Sequence, residues 1–230
     1  MVHLISVLGL WYLLSGGPAS LVLPSASAQG TPGKTAPRVL FVGNSLTAGY
    51  GIDPAQAFPA LIQEKITARG WPFQVVNAGV SGDTTAAGLR RIDWLLQRPV
   101  DVLVLELGTN DGLRGLSLEA AQQNLQAIID RTRHKYPHVT IVLAGMQLPR
   151  NLGPDYVRRF ERLFVELAAT NALAFVPSFL QGVGGVPALN LPDGMHPTPA
   201  GHQIIATNVW QVLEPLLQRL HDRAGTGLGP

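Results

Sequence analysis

Short, mainly apolar runs recur along the chain at residues 39–42, 73–76, 102–105, 139–143 and 173–176. They do not alternate with polar residues, which is the pattern of strands covered on both faces of a sheet. Between them the apolar positions fall three and four apart, the spacing of one helix face. Phe58, Leu61, Ile62 and Ile66 do so within 54–69, and Leu89, Ile92, Leu95 and Leu96 in a helix from Thr84 to near Pro99. Leu125, Ile128 and Ile129 follow within 117–136, and Phe160, Leu163, Phe164 and Leu167 within 156–170. Ile204, Ile205, Val209, Val212, Leu213 and Leu216 mark a closing helix over 199–220. Strands alternating with helices predict the α/β class, with a five-stranded parallel sheet covered on both faces. Neither an internal repeat nor a second domain is visible.

The composition narrows this picture. Of 230 residues, 46% are hydrophobic and 14% charged, enough for one domain with a sizeable core and too apolar for a disordered chain. A net charge of +2, with 17 Lys and Arg scattered and without a basic run, argues against a nucleic-acid partner. There is no cysteine, so thiol catalysis, thiolate metal sites and disulfides are excluded. Residues 1–28 read as a signal peptide: an apolar stretch over 4–14, then Gly16, Gly17 and Pro18, then Ala26-Ser27-Ala28 as a small-x-small cleavage site. His3 is the only basic side chain ahead of the apolar stretch, and an uncleaved anchor over 4–23 is disfavoured by the Gly-Gly-Pro interruption. The expected product is exported, periplasmic or secreted, with no stable membrane span. A linker follows over 29–37, the folded domain over 38–222 and a flexible tail over 223–230.

In a parallel sheet the loops after successive strands open on one edge, where ligands of open α/β sheets settle. The loop after the first run holds Ser45, the glycine-rich turn 77–83 holds Gly82, and the loop after the third run holds Asn110. That edge collects a hydroxyl, a backbone N–H free of side-chain crowding and a carboxamide. After the fifth run the chain returns Asp193 and His196 on a turn with Gly194 between them, which can set a carboxylate beside an imidazole. Each residue also has a plainer reading. Ser45 alone suits a helix cap, Gly82 a turn needing positive φ, and Asn110-Asp111 an Asx turn in which Asp111 is structural. Asp193 and His196 suit a cap beside a solvated histidine, or metal ligands, although no further His or carboxylate stands at a ligand spacing. His134, His138, His202 and His221 fall on helices or helix ends and are expected to be exposed.

Taken together, Gly43-Asn44-Ser45-Leu46, the segment 77–84 around Gly82, Gly108-Thr109-Asn110-Asp111 and Asp193-Gly194-Met195-His196-Pro197 resemble the four blocks of the GDSL or SGNH hydrolase superfamily. The stretch 107–115 and Met146-Gln147-Leu148-Pro149 are similar to its secreted esterase, thioesterase and lysophospholipase branch. The resemblance implies a three-layer α/β/α, flavodoxin-like fold and a serine hydrolase of carboxylic esters, thioesters or lysophospholipids. It implies Ser45 as nucleophile, His196 as base and Asp193 as its orienting carboxylate. An oxyanion hole is implied from the N–H groups of Ser45 and Gly82 and the amide of Asn110, with Leu148 and Pro149 bordering the acyl group. No cofactor and no metal are implied, the partner is a small-molecule ester, and a monomer is expected. The family's usual aspartate before the serine is Asn44 here, which keeps size and hydrogen-bonding capacity without the charge. Two other functions compete: a carbohydrate O-deacetylase on the same blocks, and a non-catalytic flavodoxin-like module, which no Gly-x-Gly-x-x-Gly or P-loop motif supports. The Gly-x-Ser-x-Gly elbow of α/β-hydrolases is absent, since Leu46 and Thr47 follow Ser45.

Overall fold

The computed structural model describes residues 36–226. The expected signal peptide, most of the linker and the last four residues lie outside the described residues. The five apolar runs are strands β1 (Arg38–Gly43), β2 (Gln74–Gly79), β3 (Val102–Glu106), β4 (Thr140–Ala144) and β5 (Ala174–Val176). They form one parallel sheet in the order β2-β1-β3-β4-β5. The chain steps from β1 outward to β2 and then across to β3, so the topological switch falls at the carboxyl ends of β1 and β3. Register makes this a shared edge: Gly43 lies opposite Gly79 on one side and Glu106 on the other.

Every residue of β1 and β3 is buried, which only a sheet covered on both faces permits. Helices α2 (Phe58–Ala68) and α7 (Pro199–Gly225) pack together on one side. Helices α3 (Thr85–Leu95), α5 (Leu118–Lys135) and α6 (Pro154–Thr170) cover the other, giving three layers. The fully buried Phe41, Phe58, Phe160, Phe164 and Phe179 anchor the core, each contributing about 1.5–3 kcal/mol through burial. Among the described residues no helix is long and apolar enough to cross a membrane.

Several boundaries depart from the periodicity. The helix expected from residue 54 starts at Phe58, because Asp53 caps a separate 3-10 turn, Pro54–Gln56, and Ala57 returns to an extended backbone. Strand β2 continues through Asn77, Ala78 and Gly79, three residues expected in the glycine-rich turn, because pairing with β1 holds them to the sheet edge. A side chain at Gly79 would run into the backbone of Ala48, so glycine there permits the close approach of β2 to the loop after β1. Two short helices, α1 (Ser45–Ala48) and α4 (Thr109–Leu113), are too brief to leave a periodic signal. Helix α6 begins at Pro154 and α7 runs to Gly225, three residues into the expected tail.

Two histidines correct the expectation of exposure, while His134 and His138 are exposed. His202 is 1% exposed. Its Nδ1 accepts the N–H of Phe58 at 3.2 Å, so an imidazole on α7 does the work of the side-chain cap that α2 lacks. His221 is half-buried against Trp71, with ring centroids 6.1 Å apart.

Candidate active site

The loop after β1 turns at once into α1. Asn44 is its N-cap, and the side-chain Oδ1 accepts the N–H of Leu46 at 2.9 Å. Ser45 is therefore the first helical residue, and its own N–H has no partner inside the helix. Beneath it lies Glu106, the last residue of β3, with no exposed surface. Its Oε1 accepts the side-chain amide of Asn44 at 2.8 Å, and its Oε2 accepts the Asn44 N–H at 3.2 Å and the Thr47 hydroxyl at 2.7 Å. Burial pushes the Glu106 carboxyl up to about 7, against the opposing pull of these donors.

The loops after β2 and β3 are fastened to this floor. Val80 N–H donates to the Gly43 carbonyl at 3.0 Å, and Arg91 on α3 reaches the same carbonyl at 3.1 Å while pairing with Asp83 at 2.7 Å. Asn110 on α4 donates one amide hydrogen to the Asp83 carbonyl at 2.9 Å, which fixes the plane of the carboxamide and leaves its second hydrogen for a ligand. Gly82 is exposed with φ +84, and its N–H has no protein acceptor among the described residues. Asp111, next to Asn110, is buried and accepts both the N–H and the hydroxyl of Thr85 at 2.9 and 2.7 Å, a structural latch between α3 and α4.

The turn after β5 completes the edge. Asp193 Oδ1 accepts the N–H groups of Met195 and His196 at 2.9 and 3.0 Å, and Oδ2 meets His196 Nδ1 at 2.6 Å. The backbone N–H of His196, then that of Met195, then the imidazole hold this carboxyl down at about 2, so it is ionised throughout the ordinary range. His196 Nε2 lies 3.0 Å from Ser45 Oγ. The turn is tied down by Leu191 N–H to the His196 carbonyl at 2.7 Å and Thr198 N–H to the Leu189 carbonyl at 2.9 Å. Tyr50 lies over the imidazole at 4.4 Å between ring centroids.

Five residues singled out in the sequence thus meet at one rim: Ser45, His196 and Asp193 in a hydrogen-bonded line, with Gly82 and Asn110 on loops joined through Asp83. Leu148 and Pro149 border a cleft of about 760 Å³ beside them, shared with Thr109, Leu113, Gly194 and Met195. Leu148 is buried and Pro149 exposed. Glu106, Thr47, Arg91 and Tyr50 were missed by the pattern. Glu106 alone carried a signal, since a carboxylate closing a strand buried on both faces demands donors.

Residues 41–204 match the GDSL-like lipase/acylhydrolase family. The chain is also 41% identical to Esterase TesA of Pseudomonas aeruginosa, over 89% of this chain and 98% of that protein. It belongs to the GDSL-like lipase/acylhydrolase family. Within the family it is 36% identical to the Escherichia coli protein named Thioesterase 1/protease 1/lysophospholipase L1, over 80% of this chain and 86% of that one. The crystal structure of TesA superposes with a TM-score of 0.75 at 42% identity, covering 78% of this chain and 99% of that chain. That of the psychrotrophic esterase EstA from Pseudoalteromonas sp., inhibited by monoethylphosphonate, gives 0.73 at 28% identity over 79% and 98%. This GDSL family member is a carboxylic ester hydrolase, on the fold that its sequence motifs imply.

Proposed function

We propose that the chain is an exported serine esterase working through Ser45, His196 and Asp193. The observation that carries this reading is the imidazole of His196, held 2.6 Å from a carboxylate and 3.0 Å from a serine hydroxyl. Asp193 accepts from Nδ1, which leaves Nε2 with its lone pair toward Ser45 Oγ. As Oγ forms its bond to the acyl carbon, Nε2 takes the hydroxyl proton and the carbonyl oxygen becomes an oxyanion. The N–H groups of Ser45 and Gly82 and the second amide hydrogen of Asn110 receive that charge. Collapse of the intermediate breaks the bond to the leaving alcohol or thiol, which departs with the proton from His196, and an acyl-serine ester remains. Water, deprotonated by the same nitrogen, attacks the acyl carbon, and the acid leaves as Oγ recovers its hydrogen.

The substrate class is short- or medium-chain acyl esters and aryl esters, with thioesters and lysophospholipids beside them. The names of the P. aeruginosa and E. coli relatives support esters, thioesters and lysophospholipids, and the cleft bordered by Leu148 and Pro149 offers room for an acyl group. Export rests on the sequence of residues 1–28 and predicts a mature protein beginning at Gln29.

Ser45→Ala tests the mechanism. It is expected to lower kcat on p-nitrophenyl esters by about a million-fold while leaving the circular dichroism spectrum and melting temperature in place. A fluorophosphonate should label the parent protein at Ser45 and leave the variant unlabelled. Hydrolysis surviving in the variant overturns the assignment. A panel of esters of increasing chain length, beside an acyl thioester and a lysophospholipid, then fixes the preference.

A further inference from the structure

We infer that Glu106 is a positioning residue for the nucleophile: it sets the direction of the Asn44 amide, and through Asn44 the first turn of α1 and the hydroxyl of Ser45. The inference rests on Ser45 being the nucleophile. A buried carboxylate seldom stands without a purpose, because burial disfavours its charge unless donors compensate. Here the two oxygens divide the compensation unequally. Oε2 accepts the backbone N–H of Asn44 and the hydroxyl of Thr47, and Oε1 accepts only the Asn44 side-chain amide. That last bond fixes which end of the Asn44 amide is which. With Nδ2 committed to Glu106, Oδ1 faces the opposite way and caps Leu46 N–H. Residues 44, 46 and 47 are thereby tied on either side of Ser45, and all three are buried.

Polarity makes the network testable, since every hydrogen in it has one acceptor. Glu106→Gln places an amide NH₂ where Oε1 stood, facing the NH₂ of Asn44. Either that pair stays donor against donor, or an amide flips and the Asn44 N–H or the Leu46 N–H loses its acceptor. Asn44→Asp creates the opposite conflict, carboxylate against carboxylate, relieved only while the pair holds a proton. Other charged groups on the surrounding elements are Arg91 and its partner Asp83, Asp111 on α4, and His196 across the serine hydroxyl. None of them hydrogen-bonds Glu106. Exchanging both residues restores the match. The new side-chain amide at position 106 donates to the new carboxylate at 44, whose other oxygen still accepts from Leu46, and the carbonyl of that amide takes the place of Oε2.

The experiment is a double-mutant cycle with Glu106→Gln, Asn44→Asp and the double exchange, each counted by fluorophosphonate titration so that kcat refers to competent serine alone. Glu106→Gln is expected to lower kcat by about 10- to 100-fold with KM within about two-fold, the signature of a displaced nucleophile. Asn44→Asp, which installs the family's usual residue, is expected to keep kcat while the carboxyl pair shares a proton and to lose it only as pH rises and that proton leaves. The double exchange should return kcat to within about three-fold of the parent. Thr47→Val removes a single donor and, should Glu106→Gln fail to fold, is expected to lower kcat by a few-fold on its own. Unchanged kcat in a folded Glu106→Gln or Thr47→Val overturns the inference, as does a folded double exchange no faster than Glu106→Gln. Labelling of the parent at a residue other than Ser45 overturns the nucleophile reading and this inference with it. Labelling at Ser45 with unchanged kcat in the variants overturns this inference alone.

Discussion

Ser45 and His196 approach one hydrogen bond from opposite kinds of ground. The serine stands on a floor of side chains without solvent contact, where Asn44, Thr47 and Glu106 are each 1% exposed or less and each paired. The histidine rides on a short surface turn whose carboxylate, Asp193, keeps 36% of its side-chain surface in water. The floor is held by long-range contacts between β1, β3 and α1. The turn is held by bonds within a few residues of itself. In the proposed mechanism a nucleophile must be placed to a fraction of an ångström, whereas a base needs its ring oriented and its tautomer set, a task that suits one carboxylate three residues away.

The largest effect that sharpens this contrast belongs to Asn110, whose carboxamide is anchored to the floor through Asp83. Asn110→Ala should lower kcat by about 100- to 1,000-fold, about 3–4 kcal/mol, with a much smaller change in KM, because the contact strengthens only as the oxyanion forms. Steady-state kinetics checks it, and a pure KM effect would remove Asn110 from the proposed oxyanion hole.

Next is the pH dependence of stability, in which each region contributes one buried titratable group of opposite sign. On the α7 side that follows the turn, burial and then the charge of His196 lower His202 to about 4. The unfolded chain therefore binds a proton that the folded one refuses, and stability falls as pH drops from about 6.5 toward 4, by up to about 3 kcal/mol. Glu106, raised to about 7 by burial, acts in the other direction. Its folded form holds a proton that the unfolded chain releases, so stability falls as pH rises from about 4.5 toward 7, by up to about 3 kcal/mol. Urea denaturation across pH 4–8 should show the acid limb vanish in His202→Asn and the neutral limb flatten in Glu106→Gln.

One substitution made in both regions provides the direct comparison. A methyl group on Gly43 would meet Glu106 Oε2 at 2.6 Å and collide with Thr47, so Gly43→Ala should cost about 1–3 kcal/mol and depress kcat as the floor parts. Gly194 has φ +68 and open space around it, so Gly194→Ala meets only backbone strain, about 1 kcal/mol. Thermal melts and kcat of the two variants rank the regions. Equal losses would mean that the turn is as tightly built as the floor.

The periodicity of the chain was sufficient for the strands, the long helices and their alternation, because burial on two faces or on one stripe writes itself into residue type at fixed intervals. Four short polar blocks at the strand ends pointed to Ser45, Gly82, Asn110, Asp193 and His196 in the same way, since loop chemistry is local. Other features depended on partners distant in sequence. Glu106 closes an otherwise apolar strand, and its meaning comes from Asn44 and Thr47 some sixty residues earlier. His202 looked like a surface residue of an amphipathic helix until α2 packed across it and supplied Phe58 N–H. Tyr50 gained a role only by lying over an imidazole that the chain brings back far downstream. Local pattern determined which elements form and which residues stand at their ends. Only the tertiary structure decided which buried polar groups face one another, because a hydrogen bond between separate elements leaves no period in either.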